Sequence, residues 1–228
     1  MAIVAAGLLT FLALFFAFQI NLPFFFLVIT FFLLQISYSY YLKNIILLDI
    51  ITIAVGFIIR VLAGEMASGY HLDIWLLLTV ISVSLFLAIG KRRSELTLLS
   101  GWAGSIPAKT RVTLTRYSEK MLDVYISMFA NSAWITYSFY SFLQKPPVIR
   151  NRINLFFDQY NLDFFQERKW LMLSIPLVIY GIMRYLQLIY EKNEGESPEK
   201  VLLTDKPLII TSAILGLVLF GTIYLIGK

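Results

Sequence analysis

The 228-residue sequence contains no cysteine and a single histidine, His71. Disulfides, thiolate metal sites and cysteine nucleophiles are therefore excluded, and a zinc or haem site would lack a second histidine. Charge is scarce as well: 14% of residues are Asp, Glu, Lys or Arg, and none occurs before Lys43. The 19 Lys+Arg and 14 Asp+Glu give a net charge of +5, a balance that does not point to nucleic acid. The apolar run from Ala2 to Phe18 follows no basic segment and leads into a second run without a small-residue cleavage site. It is expected to be a retained helix, not a cleaved signal.

Hydrophobic residues make up 59% of the chain, and the mean hydropathy is +0.77. A soluble domain of this length could not bury so much apolar surface, which predicts an all-α integral membrane protein. Seven apolar runs of spanning length lie at about 1–18, 22–41, 45–63, 73–90, 121–143, 170–190 and 207–227. No internal repeat is visible, so residues 1–228 are expected to form one membrane domain. The stretch 153–165, "INLFFDQYNLDFF", mixes aromatic and polar residues and is expected to lie along the membrane interface. With seven crossings, alternate loops share a face. One face collects eleven basic residues, from Lys43, the 91–120 segment and the 192–206 segment, against five on the other. The positive-inside bias predicts a plasma (inner) membrane protein whose richer face and N-terminus are cytoplasmic and whose C-terminus is outside.

Within this apolar background a few polar residues stand out. Asp49 and Arg60 lie in "LLDIITIAVGFIIR", eleven residues apart, which is about 1100° of helical rotation and hence nearly one face. Gly56 sits between them on that stripe, with Thr52 close by. A charge near the bilayer centre costs roughly 2.5–3.5 kcal/mol on insertion scales, so such residues mostly line a cavity or pathway. A second reading keeps both at the membrane edges, with Arg60 snorkelling outward. The fourth run ends in "GKRRSEL", where Lys91, Arg92 and Arg93 form either a stop signal or a phosphate-binding rim, and Glu95 follows. The second run ends in "YSYYLK", where Tyr38 and its neighbours form either an aromatic belt or a site beside Lys43. Arg184 and Tyr185 lie near the cytoplasmic end of the sixth run. Cations suited to phosphate and carboxylates suited to Mg²⁺ thus gather on one side of a greasy bundle. That pattern suits an enzyme handling phosphorylated lipids, and it also suits a transporter.

The run "YSYYLKNIILLDIITIAVGFIIRVLAG", then "GKRRSEL", then "GESPEKVLLTDKPL", resembles the UbiA prenyltransferase superfamily, and within it the phosphoribosyltransferase branch. The resemblance extends through essentially the whole chain. It implies a bundle of nine helices, of which the seven runs match the third to ninth. It implies transfer of a 5-phosphoribosyl group from phosphoribosyl pyrophosphate to a polyprenyl phosphate, with Mg²⁺ holding the pyrophosphate. Elsewhere in the family a prenyl pyrophosphate alkylates an aromatic or lipid acceptor. Carried onto this sequence, it makes Lys43, Lys91 and Arg92 phosphate contacts and Glu95 a catalytic acid and metal ligand. It places Asp49 and Arg60 in the catalytic cavity, Arg60 deeper; Tyr38 and Arg184, on the same cytoplasmic side, are expected with Arg60 to bind substrate. The family's Asn-Asp-x-x-Asp-x-x-x-Asp element has no match in these 228 residues, so the chain is expected to lack the first two family helices and to be either inactive alone or completed by a partner.

Overall fold

The computed structural model describes residues 2–100, 117–144, 169–191 and 203–222. These form seven α-helices: α1 (Ala2–Ile20), α2 (Leu22–Tyr40), α3 (Leu48–Ser68), α4 (Ile74–Ser100), α5 (Glu119–Leu143), α6 (Ile175–Glu191) and α7 (Lys206–Phe220). Single 3₁₀ turns lie at Leu42–Asn44 and Trp170–Ser174. There is no strand among the described residues. The stretch 153–165 lies outside them.

Local chemistry sets the helix ends. The Asn21 side chain accepts the Phe24 N–H at 2.7 Å and Pro23 occupies the first turn, so α2 restarts one residue after α1 stops. Helix α3 closes on Gly69, whose φ of +70° is open to a residue without Cβ. Ser118 caps α5 through the Met121 N–H, and Asp205 caps α7 through the Leu208 N–H.

Consecutive helices pack antiparallel, and their register can be read from paired contacts. Between α2 and α3, Asn21 donates to the Met66 carbonyl, Gly56 faces Phe31 and Gln35, and Tyr38 meets Asp49. Between α4 and α5, Trp75 stacks near Phe139, Thr79 bonds Thr136, Ser82 bonds Ser132, and Arg93 bonds Asp123. This seam uses small and hydroxylated residues, with Ala130 and Ala133 buried on α5, as expected where lipid leaves little hydrophobic drive between helices. Helix α6 leans on α4 at Gly90, where an added Cβ would stand 2.9 Å from Ile189 Cδ1 and 3.1 Å from Tyr185 Cε1. The core gathers Ile50, Ala54, Phe86, Ile89, Leu122, Ile126, Leu188 and Leu208.

Outside that core the surface is apolar. Helix α2 has no buried residue, and Phe26, Leu33 and Ile36 are exposed along it. Four segments are long and apolar enough to cross a membrane: Leu22–Tyr40, Leu48–Ser68, Ile74–Thr97 and Trp170–Glu191. Gly7–Ile20 and Lys206–Phe220 are apolar but shorter, while α5 carries Glu119, Lys120 and Asp123 in its first turns. The chain is an all-α integral membrane protein. Its seven helices fall where the seven runs were expected; α2, α3 and α4 each hold a span of that length, and α6 reaches it together with the 3₁₀ turn before it.

One boundary differs in a way that matters. The fourth run was expected to end at 90, yet α4 continues to Ser100. Lys, Arg and Glu are good helix formers, and the arginines find partners on neighbouring helices, so the charged rim is helical. At 1.5 Å per residue the 27-residue helix is about 40 Å long, and its last turns reach past a hydrocarbon core of about 30 Å.

Candidate functional site

The rim of α4 carries two adjacent arginines that point into different neighbours. Arg92 is fully buried and turns toward α2 and α3. Its Nε lies 2.5 Å from Asp49 Oδ2, and its Nη2 donates to Asp49 Oδ1 at 2.9 Å. Nη2 also donates to the Tyr38 hydroxyl at 2.7 Å, and that hydroxyl in turn donates to Asp49 Oδ1 at 2.9 Å. Nη1 is paired with Glu95, one turn further along α4. The buried guanidinium is thus met by two carboxylates and a phenol, which is what makes its burial tolerable.

Asp49 is delivered to this contact by an unusual turn. Leu47, just before α3, has φ +66° and ψ −43°, and the Leu48 N–H reaches back to the Ile46 carbonyl at 2.9 Å. That is a γ-turn of the strained, positive-φ type. The Leu47 N–H donates to the hydroxyl of Tyr117, 2.8 Å away and 70 residues on. Tyr117 is buried, and burial pushes its phenol above the ordinary value, opposed first by the Leu47 N–H it accepts and then by Arg92, with the nearby Asp49 charge acting in the same direction as burial.

Arg93 turns the other way. It donates from Nε to Asp123 Oδ1 at 2.7 Å and from Nη2 to Glu119 at 3.2 Å, bonds Thr97, and lies 5.5 Å from the Tyr190 ring centroid. The Tyr190 hydroxyl donates to the same Asp123 oxygen at 2.7 Å, so one knot ties α4, α5 and α6. Sequence reasoning counted Arg93 only among the rim cations and did not single out Asp123, Tyr190 or Tyr117. Their partners lie on other helices or, for Tyr117, in the turn before α3, and no local spacing signals them.

The residues expected to act together fall into separate places. Tyr38, Asp49, Arg92 and Glu95 converge. Lys91, half-buried, stands beside them in α4, and Lys43 sits in the 3₁₀ turn between α2 and α3. Arg60 does not join them. It is exposed, 5.0 Å from the Phe31 ring centroid and 5.6 Å from that of Phe57. Arg184 pairs with Asp205 through both carboxylate oxygens, at 3.1 and 2.8 Å, and so clamps α6 to the start of α7.

The donor set does not by itself fit a metal centre. Among the described residues no group of three or more His, Asp or Glu could hold an ion, and Asp49 and Glu95 both face Arg92.

An all-α integral membrane protein with a buried, arginine-centred polar cluster at one end of its bundle is the class that fold and site define. The chain is 33% identical over 189 residues to a protein of Mycolicibacterium smegmatis named decaprenyl-phosphate phosphoribosyltransferase, covering 83% of this chain and 54% of that one. Proteins of the same name from Corynebacterium glutamicum and Mycobacterium tuberculosis are 30% and 27% identical over 175 residues, or 77% of this chain and 46% and 50% of theirs. The chain is a homologue of these proteins, and the branch resemblance carried by its motifs is borne out. It spans about half the length of the curated relatives it matches. No protein-family model matches it.

Proposed function

We propose that this chain forms the phosphate-handling part of a membrane transferase that moves a 5-phosphoribosyl group from phosphoribosyl pyrophosphate to a polyprenyl phosphate, releasing pyrophosphate. The observation that carries this reading is the homology across roughly four-fifths of the chain. The geometry supports it, because Arg92, Asp49, Tyr38 and Glu95 form a preorganised cluster beside Lys91, at the end of a bundle whose apolar flanks suit a lipid tail. In this reading Arg92 is committed to its protein partners and holds Asp49 and Glu95 in place. Lys91 and Lys43 supply the cationic contacts to phosphate. Asp49 acts on the acceptor, and Arg60 lies along the path of the lipid.

Mg²⁺ would supply charge neutralisation for the departing pyrophosphate, and any such ion needs ligands beyond the described cluster. The excess of basic residues on the Arg92 face supports a cytoplasmic placement of that face in the plasma membrane. A purely structural reading also has an observation in its favour, namely that every carboxylate of the cluster is already paired with an arginine.

The deciding experiment supplies membranes containing the full chain with labelled phosphoribosyl pyrophosphate and polyprenyl phosphate, and in parallel with a prenyl pyrophosphate and an aromatic acceptor. Label in the lipid fraction in the first assay alone supports phosphoribosyl transfer. Product in the second alone supports prenyl transfer, and product in neither supports the structural reading.

A further inference from the structure

We propose that Tyr117 is a positioning residue of this site: its hydroxyl holds the strained turn at Leu47, and through that turn sets Asp49 against Arg92. Leu47 is the one non-glycine residue with positive φ among the described residues. The residue is 43% exposed, so burial of the leucine does not explain why the backbone accepts this conformation. The compensating contacts are polar. The Leu47 N–H reaches the buried Tyr117 hydroxyl at 2.8 Å, and the Leu47 carbonyl receives the Ile51 N–H at 2.9 Å. Asp49 follows two residues later, its own N–H bonded to the Ile45 carbonyl at 3.1 Å, so the turn spans the backbone on which this carboxylate is mounted.

Without the hydroxyl, the Leu47 N–H loses its acceptor and the turn can relax toward negative φ, which rotates the start of α3 and draws Asp49 from Arg92. Glycine at 47 adopts positive φ without a Cβ penalty, so it removes the need for Tyr117. The catalytic consequence rests on the function proposed above; the dependence of the turn on Tyr117 does not.

The test compares the full wild-type chain, Tyr117→Phe, Leu47→Gly and the double variant in membranes, by deuterium uptake of the 45–50 segment and by transfer of labelled phosphoribose. Tyr117→Phe, which keeps the ring, is expected to speed exchange of the segment about tenfold. It should lower kcat by a comparable factor with KM for the donor changed by less than about twofold. Leu47→Gly in the Tyr117→Phe background should restore both. Unchanged exchange in Tyr117→Phe overturns the proposal, and so does a loss that Leu47→Gly fails to recover. If the wild type transfers no phosphoribose, the proposed function fails, while the exchange comparison still decides the role of Tyr117.

Discussion

Arg92 and Asp49 lie 43 residues apart in sequence and meet side by side, with Nε to Oδ2 at 2.5 Å and Nη2 to Oδ1 at 2.9 Å, both groups almost wholly buried. Removing one partner strands the other charge in a poorly solvated site, an effect of about 3–5 kcal/mol for buried pairs. Asp49→Ala and Arg92→Ala should each lower the thermal midpoint in detergent markedly. The double variant Asp49→Ala/Arg92→Ala should lose much less than the sum of the single changes. A double-mutant cycle of melting curves measures this, and strictly additive losses would show that the pair does not couple.

The close approach of α4 and α6 makes Gly90 a second sensitive point. A Cβ there would meet the Tyr185 ring at 3.1 Å and its hydroxyl at 3.2 Å, besides Ile189. The isoleucine end can swing, but the ring stacked edge-on against Phe86 cannot move so easily. Gly90→Ala is expected to destabilise by about 1–3 kcal/mol through overpacking. Gly64→Ala, with nothing within 4 Å, should be neutral or stabilise by about 0.5–1 kcal/mol, since helix-interior glycine carries an entropic cost. Equal melting points for the two variants would remove the packing argument.

How far the sequence disclosed this arrangement can be judged from the stripe on α3. The eleven-residue spacing placed Asp49 and Arg60 on one face, and both do face α2: Asp49 meets Tyr38, and Arg60 meets Phe31, seven residues earlier on that helix. Periodicity reports rotation about the axis, so the shared face was legible. It says nothing of what stands opposite, and the two charges, about 16 Å apart along the helix, have unlike surroundings. The pairing of Arg184 with Asp205 was not legible, because Asp205 lies 21 residues on, across a loop whose course no periodicity gives. Tyr117 was missed for the same reason, its partner being a backbone N–H in a turn that only φ reveals.

The knot around Arg93 separates a shared acceptor from a single donor. Asp123 Oδ1 receives both Arg93 Nε and the Tyr190 hydroxyl, whereas Tyr190 contributes one hydrogen bond and a ring face. Tyr190→Phe should cost about 0.5–1.5 kcal/mol, the net worth of one hydrogen bond. Asp123→Ala should cost more, because it leaves a mostly buried guanidinium with Glu119, itself half exposed, as its remaining carboxylate. Thermal denaturation monitored by tryptophan fluorescence gives the order, and a larger loss in Tyr190→Phe would contradict it.

Glu95 and Lys91 separate the catalytic reading from the structural one. Glu95 touches Arg92 at the edge of the cluster and is 18% exposed, so Glu95→Gln keeps a hydrogen-bond acceptor and should destabilise less than Asp49→Ala, which removes the buried carboxylate from the same guanidinium. If the cluster acts on phosphoribosyl pyrophosphate, the same change should reduce labelled transfer at least tenfold, because the charge that is lost is the one the chemistry needs. Lys91→Ala should raise KM for the donor about tenfold, the worth of one charge-assisted contact. Chelation with EDTA should abolish transfer in the wild type, and added Mg²⁺ should restore it there but not in Glu95→Gln. Wild-type rates in both variants would remove Glu95 and Lys91 from the site, leaving Arg92 and its partners as a brace between α2, α3 and α4.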